Sequence, residues 1–298
     1  MITVNGNFKL NSDVTVGKTF MLNINTDAKV DKNITAKDIV ITATNSIDLA
    51  EGITLTAERV TLATDKIPEL SYGTIADSLS EGGTIRQGNL TNYNSISGEM
   101  NFDTGGNAEN VFNSTSKIVA NELKANASKG VYLLGKNDCN DVILHNSQEN
   151  VVYHNVADVD PGETGDILTV GVSSITDGNH AIAGTVWVYN EATEETHDAK
   201  PMAVTSGVYA VNSIALKSDG DLINQYEIVS KQGSVYLDAG FNNGASVKEG
   251  NLENYGSIRA ESDATDACKV KIFATGSLHN HGEGLNNLGV YILGILSE

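Results

Sequence analysis

Basic residues, proline, cysteine and aromatic rings are all scarce in this chain, and each scarcity closes something off. Nineteen Lys and Arg stand against 38 Asp and Glu, a formal net charge of −19. Phosphate neutralisation needs clustered basic side chains, so nucleic acid is disfavoured as a partner. Anionic membrane surfaces are disfavoured on the same ground. Solubility and self-repulsion account for the charge, with calcium loading of the surface as the alternative. No apolar run approaches the ~20 residues of a membrane span, so no membrane insertion is expected. The opening MITVNGNFKL has neither basic leader nor apolar run, and no signal peptide is read there. Three Pro, one Trp and an aromatic content of 6% do not furnish the broad core of a large globular domain. They suit a narrow, stacked interior.

What is present is Gly (29 residues), Asn, and short runs of Val, Ile, Leu and Thr, residues that fit a pleated, half-buried surface. These runs repeat. Thr35-Ala36-Lys37-Asp38-Ile39-Val40-Ile41 returns as Thr56-Ala57-Glu58-Arg59-Val60-Thr61-Leu62, and 56 − 35 = 21. Val16-Gly17-Lys18-Thr19-Phe20-Met21-Leu22 lies 35 − 16 = 19 residues earlier. A period near twenty, with alternating apolar runs between Gly, Asn and Asp turns, predicts a solenoid in which each coil needs its neighbours. Helical repeats are longer, and no Leu-x-x-Leu-x-Leu frame is present. The expected fold is all-β, a right-handed parallel β-helix of about eleven to thirteen coils. Cys139 and Cys268 are 268 − 139 = 129 residues apart, on the order of 25 Å along such a stack. A disulfide requires Cα atoms within ~7 Å, so both are expected to be unpaired.

A longer self-similarity divides the chain. Asn89-Leu90-Thr91-Asn92-Tyr93-Asn94-Ser95-Ile96 returns as Asn251-Leu252-Glu253-Asn254-Tyr255-Gly256-Ser257-Ile258, an offset of 251 − 89 = 162. Gly130-Val131-Tyr132-Leu133-Leu134-Gly135 returns as Gly289-Val290-Tyr291-Ile292-Leu293-Gly294 at 289 − 130 = 159. Two β-helical blocks, 1–144 and 206–298, are expected to flank a different middle, 145–205. That middle holds Trp187, Pro161 and Pro201, four of the six His, and the acidic run Glu191-Ala192-Thr193-Glu194-Glu195. It is read as an excursion from the stack, either a hairpin pair on its side or coils with long loops. Insertions in solenoids gather on one face and carry binding.

Gly233-Ser234-Val235-Tyr236-Leu237-Asp238-Ala239-Gly240 and Leu252-Glu253-Asn254-Tyr255-Gly256-Ser257-Ile258-Arg259-Ala260 resemble the coil phrases of filamentous-haemagglutinin-type adhesins. Ile53-Thr54-Leu55-Thr56-Ala57-Glu58-Arg59-Val60-Thr61-Leu62 is similar in style. The resemblance covers about two thirds of the chain, outside the middle, and autotransporter passengers and phage tailspikes use comparable phrases. It implies a bacterial surface or secreted protein with a right-handed β-helical shaft, exported through an outer-membrane transporter partner. The Asn-Pro-Asn-Gly signatures of that family's secretion domain are absent. The final run 289–296 ends as a strand without a cap, so an internal segment of a longer protein is expected.

Chemistry-bearing clusters are few. Asp158, Asp160, Glu163 and Asp166 are spaced so that they could gather oxygens round one Ca²⁺, but their pattern is no EF-hand and equally reads as an acidic turn. Two carboxylates on one β-helical face would be needed for a polysaccharide lyase or hydrolase. His279-Asn280-His281 puts two imidazoles on one face of a strand, with Glu283 as a third zinc ligand only by favourable folding; the plain alternative is an outward polar turn. The other histidines, His145, His154, His180 and His197, have no ligand spacing. Recurring Asn (Asn92, Asn94, Asn113, Asn254) are expected to stack in corner ladders. Tyr93, Tyr132, Tyr255 and Tyr291 recur at matched positions, which implies stacking. Trp187, with Tyr189, Glu194 and Glu195, forms the candidate binding set: an exposed Trp anchors a sugar or protein, whereas a buried one packs under the excursion.

The expected function is therefore structural and adhesive, without catalysis, presenting loops to a host or bacterial cell-surface glycan or protein. The competing classes are a carbohydrate-active β-helix enzyme and a phage-tail or toxin-associated shaft. No cofactor is expected, and Ca²⁺ is the one ion the acidic turn could take.

Overall fold

Alternating aliphatic side chains predict strands with one face inward, and such strands make up most of the fold. The structure is a computed structural model that describes residues 1–6, 8–64, 83–88, 114–146, 148–156, 158–159, 167–173, 184–192, 198–242, 247–261, 270–281, 284–285 and 290–292. Among the described residues there is no helix, and so none long and apolar enough to cross a membrane. The strands stack in parallel, as in a β-helix. They group into two compact units, Met1–His154 and Asn155–Glu298.

In the first unit the repeat seen in the sequence is the physical register. Thr19–Ile24 lies on Asp38–Ala43 with Thr19 opposite Asp38, the shorter of the two sequence spacings. Ile34–Thr35 and Asp38–Ala43 both lie on Thr54–Ala63, with Thr35 opposite Thr56 and Asp38 opposite Arg59, the longer spacing. Lys117–Ala127 and then Val131–Asn146 continue this ladder. A second ladder holds Ala28–Val30, Ser46–Leu49, Thr84–Gln87 and the start of Val131–Asn146. Parallel in-register stacking puts like on like. Leu22, Ile41, Leu62, Ala125 and Leu144 form one column, and Phe20, Ile39, Val60, Leu123 and Val142 the next. Every member is buried, and burying a Leu or Ile side chain contributes about 1.5–3 kcal/mol.

The second unit also keeps its columns while the spacing varies. Met202–Ala210 lies on Leu222–Asn224 and Glu227–Ser230, with Met202 opposite Leu222 and Val208 opposite Ile228. Those strands in turn lie on Leu252–Asn254 and Ser257–Ala260, with Leu222 opposite Leu252 and Ile228 opposite Ile258, so this coil is half as long again. Ile214–Ser218, Val235–Ala239, Val270–Ala274 and Val290–Ile292 make the other ladder. Within 145–205, Leu168–Ser173 pairs in parallel with Met202–Ala210, and Val186–Glu191 with Ile214–Ser218. The same stretch also holds an antiparallel pair, Asp158–Val159 with Asp198–Ala199. This region therefore supplies stacked strands as well as a pairing outside the parallel ladders.

Several buried amide side chains are satisfied from one coil to the next, as burial requires. Asn224 donates to Asn254 Oδ1, and Asn254 donates to Asn280 Oδ1, each at 2.7 Å. In the first unit Gln87 and Asn137 exchange amide hydrogen bonds at 2.8 and 3.1 Å. The expected Asn ladder is present at Asn254, while Asn92, Asn94 and Asn113 lie outside the described residues. Gly130 and Gly207 have φ of +123° and +86°, and in each case the ring of the Tyr two residues on, Tyr132 or Tyr209, covers the glycine so closely that a Cβ would strike it. In these two copies the Gly-Val-Tyr phrase is a left-handed glycine sheltered by an aromatic ring; Gly289 of the third lies outside the described residues. Cys139 is fully buried, and its thiol donates to the Ile118 carbonyl at 3.8 Å; Cys268 lies outside the described residues.

Candidate functional site

The sequence-predicted binding set centres on Val186–Glu191. Period-two alternation points Val186 and Val188 into the core, both fully buried, and turns Trp187 and Tyr189 to the opposite face. Trp187 is only 8% exposed, so little of its ring is open to a partner. Tyr189 is half-buried, and its hydroxyl donates to Asp219 Oδ2 at 3.2 Å. The Lys217 ammonium sits 5.2 Å from the centroid of the Tyr189 ring, within cation–π range. Glu194 and Glu195 lie outside the described residues. So do Asp160, Glu163 and Asp166 of the acidic turn, and of Asp158 only the strand backbone is described.

The neighbouring coils add two carboxylates that no sequence motif marks. Asp219 accepts hydrogen bonds from Tyr189 and from the Ala192 amide at 3.0 Å. Asp238 is opposite Lys217 in the register and accepts from Tyr236 at 3.4 Å. Burial pushes both carboxyls above the ordinary carboxylate range, against the opposing pull of Lys217. Burial and the neighbouring Asp219 raise the Tyr189 hydroxyl far above a free phenol. Asp238 stands within the phrase Gly233-Ser234-Val235-Tyr236-Leu237-Asp238, and only the register brings it beside Lys217.

A second cluster assembles later in this unit. Leu252–Asn254 pairs with Leu278–Asn280, placing Glu253 opposite His279. His281 follows the strand, and its Nε2 lies 2.8 Å from Glu253 Oε2. One donor atom from each of Glu253, His279 and His281 falls within 4.8 Å of the others. The Tyr255 ring stacks on His281, with centroids 4.5 Å apart and planes 7° from parallel. Tyr255 thus does stack, although on histidine and not on another tyrosine. Its matched partner Tyr93 lies outside the described residues, as does Glu283, the third ligand considered from sequence. Glu253 takes that place from the preceding coil. Leu252-Glu253-Asn254-Tyr255-Gly256 and Leu278-His279-Asn280-His281-Gly282 share a Leu-x-Asn-x-Gly frame, and the strand register lays position 253 on 279.

In the first unit one groove is lined by charges that pair with each other. Asp38, Arg59, Glu122 and Lys124 line a groove of about 320 Å³ with Thr19 and Met21. Arg59 donates to Asp38 at 2.7 Å, and Lys124 lies 3.5 Å from Glu122. The Arg59 guanidinium holds the Asp38 carboxyl below its usual range. No protein-family profile, curated protein or solved structure matches this chain.

Proposed function

We propose that this chain is a non-enzymatic β-helical shaft segment of a secreted or surface-exposed bacterial adhesin, contacting a glycan or protein on a host or bacterial cell. The observation that carries this reading is the contrast between paired charges and projecting rings in the second unit. Lys231 pairs with Glu261 at 2.7 Å and Arg259 with Glu227 at 3.3 Å, linking successive coils. Beside them Tyr226 and Tyr255 stay 53% and 54% exposed. A tyrosine held on a rigid strand corner offers apolar area and a hydroxyl at low entropic cost, which suits sugar rings and protein surfaces alike. The length of a shaft of this kind is set by stacking, and the full-length parent would reach the surface through an outer-membrane transporter.

The test is binding to arrays of glycans and extracellular-matrix proteins by the intact chain and by Tyr226→Ala and Tyr255→Ala variants. Saturable binding that the tyrosine variants lose supports the proposal; binding that both variants retain moves the contact elsewhere and overturns the role of this corner.

Asp219 and Asp238 favour a second reading, a carbohydrate-active enzyme. Asp238 lies opposite Lys217, and the Lys217 ammonium sits by the ring of Tyr189, whose hydroxyl donates to the buried Asp219. Burial makes each carboxyl hold its proton more tightly, the direction a general acid requires. Release of oligosaccharides from a polysaccharide panel, abolished by Asp219→Asn or Asp238→Asn, would replace the adhesin reading with this one.

A further inference from the structure

We propose that Glu253, His279 and His281 form a binding site for a borderline divalent cation, zinc above all. The donor set is the first reason: two imidazoles and one carboxylate are the ligands of open zinc sites, in which water takes the fourth position. An all-oxygen preference, as for Ca²⁺ or Mg²⁺, does not suit two imidazoles.

Geometry is the second. Donors around a tetrahedral zinc at about 2.0–2.1 Å lie about 3.4 Å from one another. The pair His281 Nε2 and Glu253 Oε2, now 2.8 Å apart, must open by about half an ångström to reach that spacing. The remaining separations, all inside 4.8 Å, must close by about 1.4 Å at most. Rotation of an exposed imidazole about its side-chain torsions covers such distances without moving backbone. The His279 and His281 rings already lie within 14° of parallel, with centroids 6.0 Å apart.

Pre-organisation is the third. Glu253 and His279 are fixed opposite each other by the strand register. Next to them, the buried amide of Asn254 reaches Asn280 at 2.7 Å. The His281 amide donates to the Asn254 carbonyl at 2.7 Å, and Tyr255 flanks the His281 ring. The ligands therefore sit on a braced corner, and metal binding has little backbone to order.

The experiment is calorimetric titration of the full chain with Zn²⁺ in the presence of excess Mg²⁺, which occupies diffuse sites on a surface of net charge −19. One saturable site is expected. His279→Gln and His281→Gln should each weaken it by about 100-fold and Glu253→Gln by about tenfold. Glu58→Gln, an exposed carboxylate of the first unit, should leave it unchanged. Co²⁺ in place of Zn²⁺ should give the visible d–d absorption of a four- or five-coordinate site, lost in His281→Gln. Unchanged amide exchange at Leu252–Asn254 verifies that the variants keep the coil. Zn²⁺ uptake that survives the double His279→Gln/His281→Gln change, or that Mg²⁺ displaces, overturns the proposal.

Discussion

The two units hold their columns through coils of unequal length, the first by one long step from Thr54 to Lys117 and the second by several moderate ones. In Met1–His154 the first strands pair at the near-even spacings of the sequence repeat, and the same aliphatic columns then continue across the step from Thr54 to Lys117, 117 − 54 = 63. In Asn155–Glu298 the spacing varies, longer for Leu222 on Leu252 and Val235 on Val270 than for Met202 on Leu222 or Val270 on Val290, and an amide ladder joins Asn224, Asn254 and Asn280. Register in a parallel solenoid is thus held by the column and not by coil length. Extra residues between strands leave the columns intact, because loop closure costs only about 0.6 kcal/mol for each doubling of length.

Ile41→Ala in the first unit should give the largest effect, about 2–5 kcal/mol, because it opens a cavity between Leu22 and Leu62 in a fully buried column. Hydrogen exchange, which reads each unit separately, should show that loss in the first unit. Next comes Asn254→Ala in the second unit, at about 1–3 kcal/mol for the buried Asn224 amide left without this partner; protection at Asn224 should fall. If Asn254→Ala is silent, the ladder is packing and not hydrogen bonding. Gly130→Ala and Gly207→Ala should cost about 1–3 kcal/mol each, and by similar amounts in both units. Adding Tyr132→Ala or Tyr209→Ala should relieve the ring clash while leaving the left-handed backbone cost, which a double-mutant cycle measures.

The pH response should then separate the units by sign. Asp219 and Asp238 have folded values above their unfolded ones, so the folded state holds more protons between the two. Their contribution to stability is greatest below the unfolded value near ~3.9 and falls as pH rises through the folded one. Asp38 is lowered by Arg59; its contribution is present above the unfolded value and is lost as pH falls through the folded one. Acidification from neutrality toward ~4 should raise exchange protection beside Asp219 and Asp238, and Asp238→Asn should flatten that response. Smallest of all is Asp38→Asn, whose pair with the exposed Arg59 is screened at physiological salt; the melting temperature at neutral pH should fall only slightly.

Strands, their alternation and the first coil spacings are legible because equal coil lengths leave an equal-spaced pattern. The Gly-Val-Tyr phrase is visible too, though its reason, a ring folded over a left-handed glycine, is not. The candidate sites are harder to see. His279 and His281 stand out as a pair, but closeness in sequence nominates Glu283 as the third donor, whereas a parallel stack supplies neighbours from one coil away. Asp219 and Asp238 escape notice because an acidic residue in a strand reads as outward and solvated. Their burial comes from Tyr189, Tyr236 and the coils around them.

The class of fold is therefore a property of the chain's own pattern. A period near twenty, β-branched strands and Gly/Asn turns admit few arrangements other than stacked parallel coils. Which residues face each other across coils of unequal length emerges only when the coils are packed. Every site here is built from at least two coils, and the residue count between those coils is fixed by no local rule. Glu253 meets His279 because Leu252 stacks on Leu278 and Asn254 on Asn280, a choice made by the packing of one coil on the next.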